Sequence, residues 1–159
     1  MQHTIYISSS MFRELDPVRL STDSQKATVL FYPGATAGKI LENLLKDDKF
    51  TSIQSQHVKK VFLLCGTNNV DRILNIKRSQ DNIIVNESNT QQNLKLFENT
   101  LDEMEQLISF LQNWAHTASI NVLNILPRES SVRNKIINYL NKFLFDFSDG
   151  NKNWPFCGP

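Results

Sequence analysis

Residues 4–15, TIYISSSMFREL, join a β-rich apolar run to three consecutive serines and then to a helix-forming stretch. Read as strand, turn and helix, the segment puts Ser8, Ser9 and Ser10 at the carboxyl end of a strand. That is the edge where open parallel sheets bind their ligands. Whether a hydroxyl there is a nucleophile depends on what the rest of the chain supplies: a base, an acid to orient it, and donors for an oxyanion.

Three more runs share the character of residues 4–8. They are ATVLFY (27–32), KVFLLC (60–65) and INVLNIL (120–126), each of buried-strand length and rich in Val, Ile, Leu and Phe. Near-continuous apolar runs, rather than strict alternation, suit a parallel sheet covered on both faces. Helical spacing separates them. Residues 37–48 place Ile40, Leu41, Leu44 and Leu45 on one face. From Asn89 to Ala115 the apolar stripe runs through Leu94, Phe97, Leu101, Met104, Leu107, Ile108, Leu111 and Trp114. Residues 131–145 repeat it with Val132, Ile136, Tyr139, Leu140 and Phe143. Glu98, Asp102, Glu103 and Glu105 read as the solvated side of the long helix, and residues 75–90 as a polar loop over the sheet.

Strand–helix alternation predicts a three-layer α/β/α sandwich with a mainly parallel sheet of four to five strands. It would occupy residues 1–147 and leave 148–159 as a C-terminal tail. A chain of 159 residues is one domain's worth, and a formal net charge of +1 supplies no global basic field for nucleic acid. No run approaches the roughly 18 apolar residues of a membrane helix, so no membrane partner is expected. Without a signal-peptide core, the expected location is cytoplasmic or nuclear. Cys65 and Cys157 lack metal-type spacing, and their pairing with each other stays open. No His/Asp/Glu cluster has ligand spacing, so neither metal nor cofactor is expected. GATAGK is not a phosphate-binding loop, because Ile40 stands where a magnesium-binding hydroxyl belongs.

Unusual chemistry follows each strand. After the first come the three serines, after the second PGATAG, after the third GTNN (66–69), and after the fourth PRES (127–130). Gly34 and Gly66 let backbone N–H groups approach a ligand, and the helix starts beside them favour an anion. Taken in order, these blocks resemble those of the SGNH (GDSL-type) hydrolases, and the likeness runs from residue 4 to about 145. YISSSMFREL resembles the Gly-Asp-Ser block, YPGATAGKI the glycine block and LLCGTNNVD the Gly-x-Asn-Asp block. The resemblance implies a flavodoxin-like sandwich of SGNH type. It puts Ser10 at the nucleophile position, and Gly34 (through its N–H) and Asn68 (through its side chain) at the oxyanion-hole positions. Ser8, Ser9, Thr67, Asn69 and Arg128 are then expected on a ligand-binding rim. A narrower likeness, carried by Leu126-Pro127-Arg128, is to esterase-like domains associated with LINE-type retroelement proteins.

Departures from that pattern matter as much. The Gly-Asp before the nucleophile is Ser8-Ser9 here, and the Asp closing the third block is Asn69. The family's Asp-x-x-His block has no counterpart: no histidine follows His116. His3, His57 and His116 each precede a strand, at the edge opposite Ser10, and about 13 Å or more of strand separates the two edges. A general base works within ~3 Å of its proton or through one water. The expectation is therefore a catalytically impaired domain that keeps its crevice for a small acyl or anionic ligand or serves as an interaction module. Two alternatives stand beside it. One is an active or weakly active carboxylic-ester hydrolase whose base comes from a partner chain or from residues beyond Pro159, with self-association possible through the open sheet edge or the tail bearing Trp154 and Phe156. The other is a nucleic-acid-binding domain using Arg13, Lys39, Arg72 and Arg128.

Overall fold

The computed structural model describes residues 1–74, 77–79, 82–84, 90–149 and 156–157. Along the chain these form β1 (Gln2–Ser8), α1 (Pro17–Leu20), β2 (Gln25–Phe31), α2 (Ala37–Lys46), α3 (Asp48–Thr51), a 3₁₀ turn (Ser55–His57) and β3 (Val58–Leu64). There follow α4 (Thr67–Ile73), β4 (Lys77–Ser79), β5 (Asn82–Ile84), α5 (Thr90–Trp114), β6 (Ser119–Leu123), α6 (Ser131–Asp149) and β7 (Phe156–Cys157). The main sheet has the order β2-β1-β3-β6-β7, and each of its pairings is parallel. This is the flavodoxin-like order, in which the chain reverses direction across the sheet at β1. The α/β sandwich expected from the strand–helix alternation is the observed architecture.

Two parts of the chain depart from expectation. Within 75–90, where a loop was predicted, residues 77–79 and 82–84 pair as a short antiparallel hairpin; the rest of 75–89 lies outside the described residues. Within the expected tail, Phe156 and Cys157 pair with Val122 and Leu123, adding a parallel fifth strand beside β6. Part of the edge expected to stay open is therefore paired.

The outer layers are unequal, and handedness explains why. The crossovers β2→β3, β3→β6 and β6→β7 all advance in one direction, so right-handed connections put α2 to α6 on one face. On that face Ile5, Ile7, Val61, Leu63, Ile120 and Val122 are essentially inaccessible, packed with Leu44, Met104, Leu107, Leu111 and Leu140. Among the described residues, only the β1→β2 connection, with its four-residue α1, serves the other face. There Tyr6 stacks on Phe62 with ring centroids 5.2 Å apart and takes the edge of Phe12, and much of that surface stays partly open.

Helix stripes follow the predicted spacing with offsets at their margins. Leu45, Leu94 and Tyr139 are exposed (56%, 59% and 65%), although the periodicity put each on a buried face. In α6 the inward positions are Ile137, Leu140 and Leu144, and the stripe also carries Arg133, which is 5% exposed and ion-paired to Asp71 of α4 at 3.0 Å.

Candidate functional site

The register of the central strands fixes the site. Ser8 pairs with Phe31 on one side and Leu64 on the other, so β1, β2 and β3 end at one level. Ser10 lies two residues past that level, Gly34 three and Asn68 four. All three expected catalytic positions therefore emerge on the same edge.

Each is held by its own local device. The Phe12 N–H donates to the Ser8 hydroxyl at 2.9 Å and the Arg13 N–H to the Ser10 carbonyl at 3.1 Å, which turns the chain directly after β1. The Ser10 hydroxyl makes no hydrogen bond to any described residue, and Ser10 is half-buried. Tyr32 to Ala35 form a type II turn: the Ala35 N–H donates to the Tyr32 carbonyl at 3.1 Å, Pro33 takes the second position and Gly34 the third, at φ +76°. A residue with a side chain would be strained there, and the Gly34 N–H donates to no described residue. Beyond β3, Gly66 at φ +111° swings the chain into α4. At the second residue of that helix, the Asn68 side-chain amide donates to the Ala35 carbonyl at 3.1 Å. Asn68 and the Gly34 turn are thus brought together, and an amide nitrogen has a second hydrogen to offer.

Three residues expected on the rim are buried instead. Ser8 and Asn69 are fully inaccessible and Ser9 is 4% exposed. Ser8 has a structural task in closing the turn to Phe12. Asn69 is the more informative case. Its oxygen accepts from the Ala37 N–H at 2.8 Å, and its nitrogen donates to Glu103 Oε2 at 2.8 Å. Glu103 also accepts from the Gly38 N–H at 3.3 Å and pairs with Arg72 at 2.9 Å. A carboxylate therefore does stand beside position 69, supplied by Glu103 of α5. Thr67 is half-buried and Arg128 exposed.

Glu103 was read from sequence as part of a solvated face, and that reading fails for this residue alone among the four. Glu98, Asp102 and Glu105 are exposed. The spacing carried a signal: Glu103 lies three residues after buried Thr100 and four before buried Leu107, on the margin of the inward stripe. The effect of its charge reaches Cys65, whose thiol is pushed up to about 12 by burial first and by Glu103 second. Cys65 is free and buried; the Cys157 side chain lies outside the described residues.

The histidines are elsewhere. His3 starts β1, His57 directly precedes β3, and His116 lies in the turn before β6. Parallel strands put all three at the amino edge. His3 is buried, its Nε2 2.7 Å from the Thr28 hydroxyl. At about 3.3 Å per residue, the five steps from His3 to Ser8 span about 16 Å, beyond the reach of direct proton transfer. Among the described residues no group of three metal-ligating side chains converges, and no helix is long and apolar enough to cross a membrane.

Of the cations considered for nucleic acid, Arg13 pairs with Glu14, Lys39 with Glu42 and Arg72 with Glu103. Arg128 is exposed and belongs to no ion pair among the described residues, its backbone clasped by the Asn134 side chain at 2.7 Å.

No family model matches the sequence, and neither does any curated protein. Solved structures do match. One is a Streptococcus pneumonia protein assigned as a platelet activating factor, with TM-score 0.68 at 20% identity, covering 99% of this chain and 65% of that one. Another is the lipase Lip_vut3 from a goat rumen metagenome, with TM-score 0.69 at 10% identity, covering 98% and 80%. A third is a Bacteroides fragilis protein assigned as an acylhydrolase, with TM-score 0.63 at 14% identity, covering 99% and 67%. The fold is the SGNH-type hydrolase fold shared by such lipases, acylhydrolases and esterases. The chain spans about two thirds of the length of the first and third of these structures.

Proposed function

We propose that the carboxyl edge of the sheet is a crevice of serine-hydrolase ancestry that takes a small acyl or anionic ligand. In this reading Ser10 holds the nucleophile position, and none of the chain's three histidines shares its edge to activate it. One observation carries it: Ser10, Gly34 and Asn68 share one edge, while His3, His57 and His116 share the other. A serine hydroxyl without a base is un-ionised and weakly nucleophilic at neutral pH. Oxyanion donors and binding alone sustain a residual ~10³–10⁴-fold acceleration over water in serine proteases stripped of their triad. Slow ester turnover fits that residue of activity; efficient turnover does not.

A fluorophosphonate probe tests this reading directly. The expected result is no labelling of Ser10 on the timescale of an active serine hydrolase, and p-nitrophenyl acetate hydrolysis unchanged by Ser10→Ala. Rapid labelling that Ser10→Ala abolishes overturns the reading.

The parallel pairing of Phe156 and Cys157 with β6 favours a second reading, an esterase whose base arrives in trans. The carboxyl end of β7 opens on the same edge as Ser10, so an imidazole carried there by a partner chain would stand on the correct side. Activity that rises with protein concentration, or on adding that partner, supports it. The retroelement-type likeness rests on Leu126-Pro127-Arg128. A nucleic-acid role draws less support from a rim on which three of four cations are already paired.

A further inference from the structure

At the amino end of the sheet, about 16 Å from the Ser8 level by strand rise, β1 and β2 border a cavity of about 520 Å³. His3, Lys26, Lys49 and His57 contribute to its wall, with Val29 and Ile53 among its apolar residues. No acidic residue among the described ones lines it. Among the described residues neither Lys26 nor Lys49 belongs to an ion pair. The elements bearing these groups carry or adjoin Asp16, Asp23, Asp47 and Asp48. Asp16 is paired with Arg19, and Asp47 accepts from the Tyr32 hydroxyl at 2.8 Å and from the Lys49 N–H at 2.9 Å.

Four cationic or protonatable side chains therefore line one recess that has no acidic residue among its described lining, beside a patch of apolar wall. Burial first, then Lys26 and His57, hold the His3 imidazole below its ordinary 6.5. Lys26 and His57 thus add positive charge beside an imidazole that burial already disfavours protonating. Volumes of roughly 300–1,000 Å³ with a few convergent polar groups are typical of small-molecule sites.

We propose that this cavity binds a small phosphorylated organic molecule, its phosphate held by Lys26, Lys49, His3 and His57 and its apolar body lying against Val29 and Ile53. The site is separate from the Ser10 crevice and does not depend on how that crevice works. A bound dianion opposes the positive charge beside His3, so the imidazole should take up a proton more readily in the complex than in the free protein.

The experiment is an NMR titration at low salt with inorganic phosphate and with phenyl phosphate, following the His3 and His57 ring signals and the backbone amides of Lys26 and Ser52. Expected are saturable shifts at these positions, with phenyl phosphate bound about tenfold more tightly than phosphate because its ring leaves water. Binding should also weaken between low and physiological salt. Lys49 and His57 are exposed, so K49A and H57A should fold normally. Each should weaken binding a few-fold, and together about tenfold. Shifts elsewhere, no saturation at millimolar ligand, or equal binding by the double variant overturns the proposal.

Discussion

Asn69 and Glu103 share one hydrogen bond of 2.8 Å that joins the start of α4 to the middle of α5, in a place no water reaches on the Asn69 side. The geometry fixes the amide's orientation. Its oxygen faces the Ala37 N–H and its nitrogen faces a carboxylate. An aspartate at this position could still accept from Ala37, but it would set a second negative charge against Glu103.

Replacing Asn69 by aspartate should therefore destabilise the fold by about 2–3 kcal/mol, since a buried donor is lost and like charges face each other. Glu103→Gln alone should cost about 1 kcal/mol through the half-exposed Arg72 pair. The double variant N69D/E103Q should recover stability, because the introduced glutamine amide can donate to the introduced carboxylate. Urea denaturation of the four proteins gives the coupling. A value of at least about 1 kcal/mol in favour of the double variant is expected, and simple additivity would defeat the charge-exchange account.

The two positive-φ glycines should respond unequally to alanine. At Gly34 a Cβ meets nothing within 4 Å, so G34A carries only backbone strain of about 1 kcal/mol. At Gly66 a Cβ would fall 2.5 Å from the Met104 methyl and 2.6 Å from Ile125 Cδ1, in the closed core. G66A should cost about 3 kcal/mol or more. Its readout is the denaturation midpoint, with Asn68 displaced as a consequence, since α4 starts directly after Gly66.

These glycines show how far the sequence could be read. Gly34 and Gly66 stand in strand-to-helix turns, and turn chemistry is local, so their role was legible. So were the parallel strands, whose apolar runs are unbroken, and the edge on which Ser10, Gly34 and Asn68 emerge. What sequence could not resolve depends on the approach of distant helices. Asn69 is buried because α4 meets α5, 34 residues away, while Ser8 is covered by the turn to Phe12; composition alone makes both look like rim residues. Glu103 is held inward by partners on α2 and α4 that no helical wheel of α5 contains. The pairing of Phe156 with β6 was hidden for a related reason: a two-residue strand has no periodicity to read.

Cys65 offers a check on burial behind the site. With its thiol at 4% exposure and pushed up to about 12, almost none is thiolate at neutral pH. Iodoacetamide should leave Cys65 unmodified in the native protein and alkylate it fully in denaturant, as read by peptide mass mapping. In G66A, whose cost falls on the neighbouring Met104 and Ile125 packing, alkylation should accelerate in step with the lost stability. Ready native-state alkylation would mean that this end of β3 is open.

His3 makes the pH dependence of folding specific. Its imidazole is held low in the folded chain by burial, then by Lys26 and His57, and returns to an ordinary value on unfolding. The unfolded state therefore binds more protons as pH falls through 6.5, and stability is lost in that direction; above 6.5 the contribution is complete. Carboxylates with depressed values lose their contribution only at lower pH, so the window between about 6.5 and 5 belongs mainly to histidine. In wild type the urea midpoint should decline across this window, and in H3Q the decline should be smaller. Phenyl phosphate should flatten the wild-type curve as well, because a bound anion restores the proton affinity that Lys26 and His57 depress. An H3Q protein with the full wild-type decline would show that the buried imidazole is not what the fold protects from protonation.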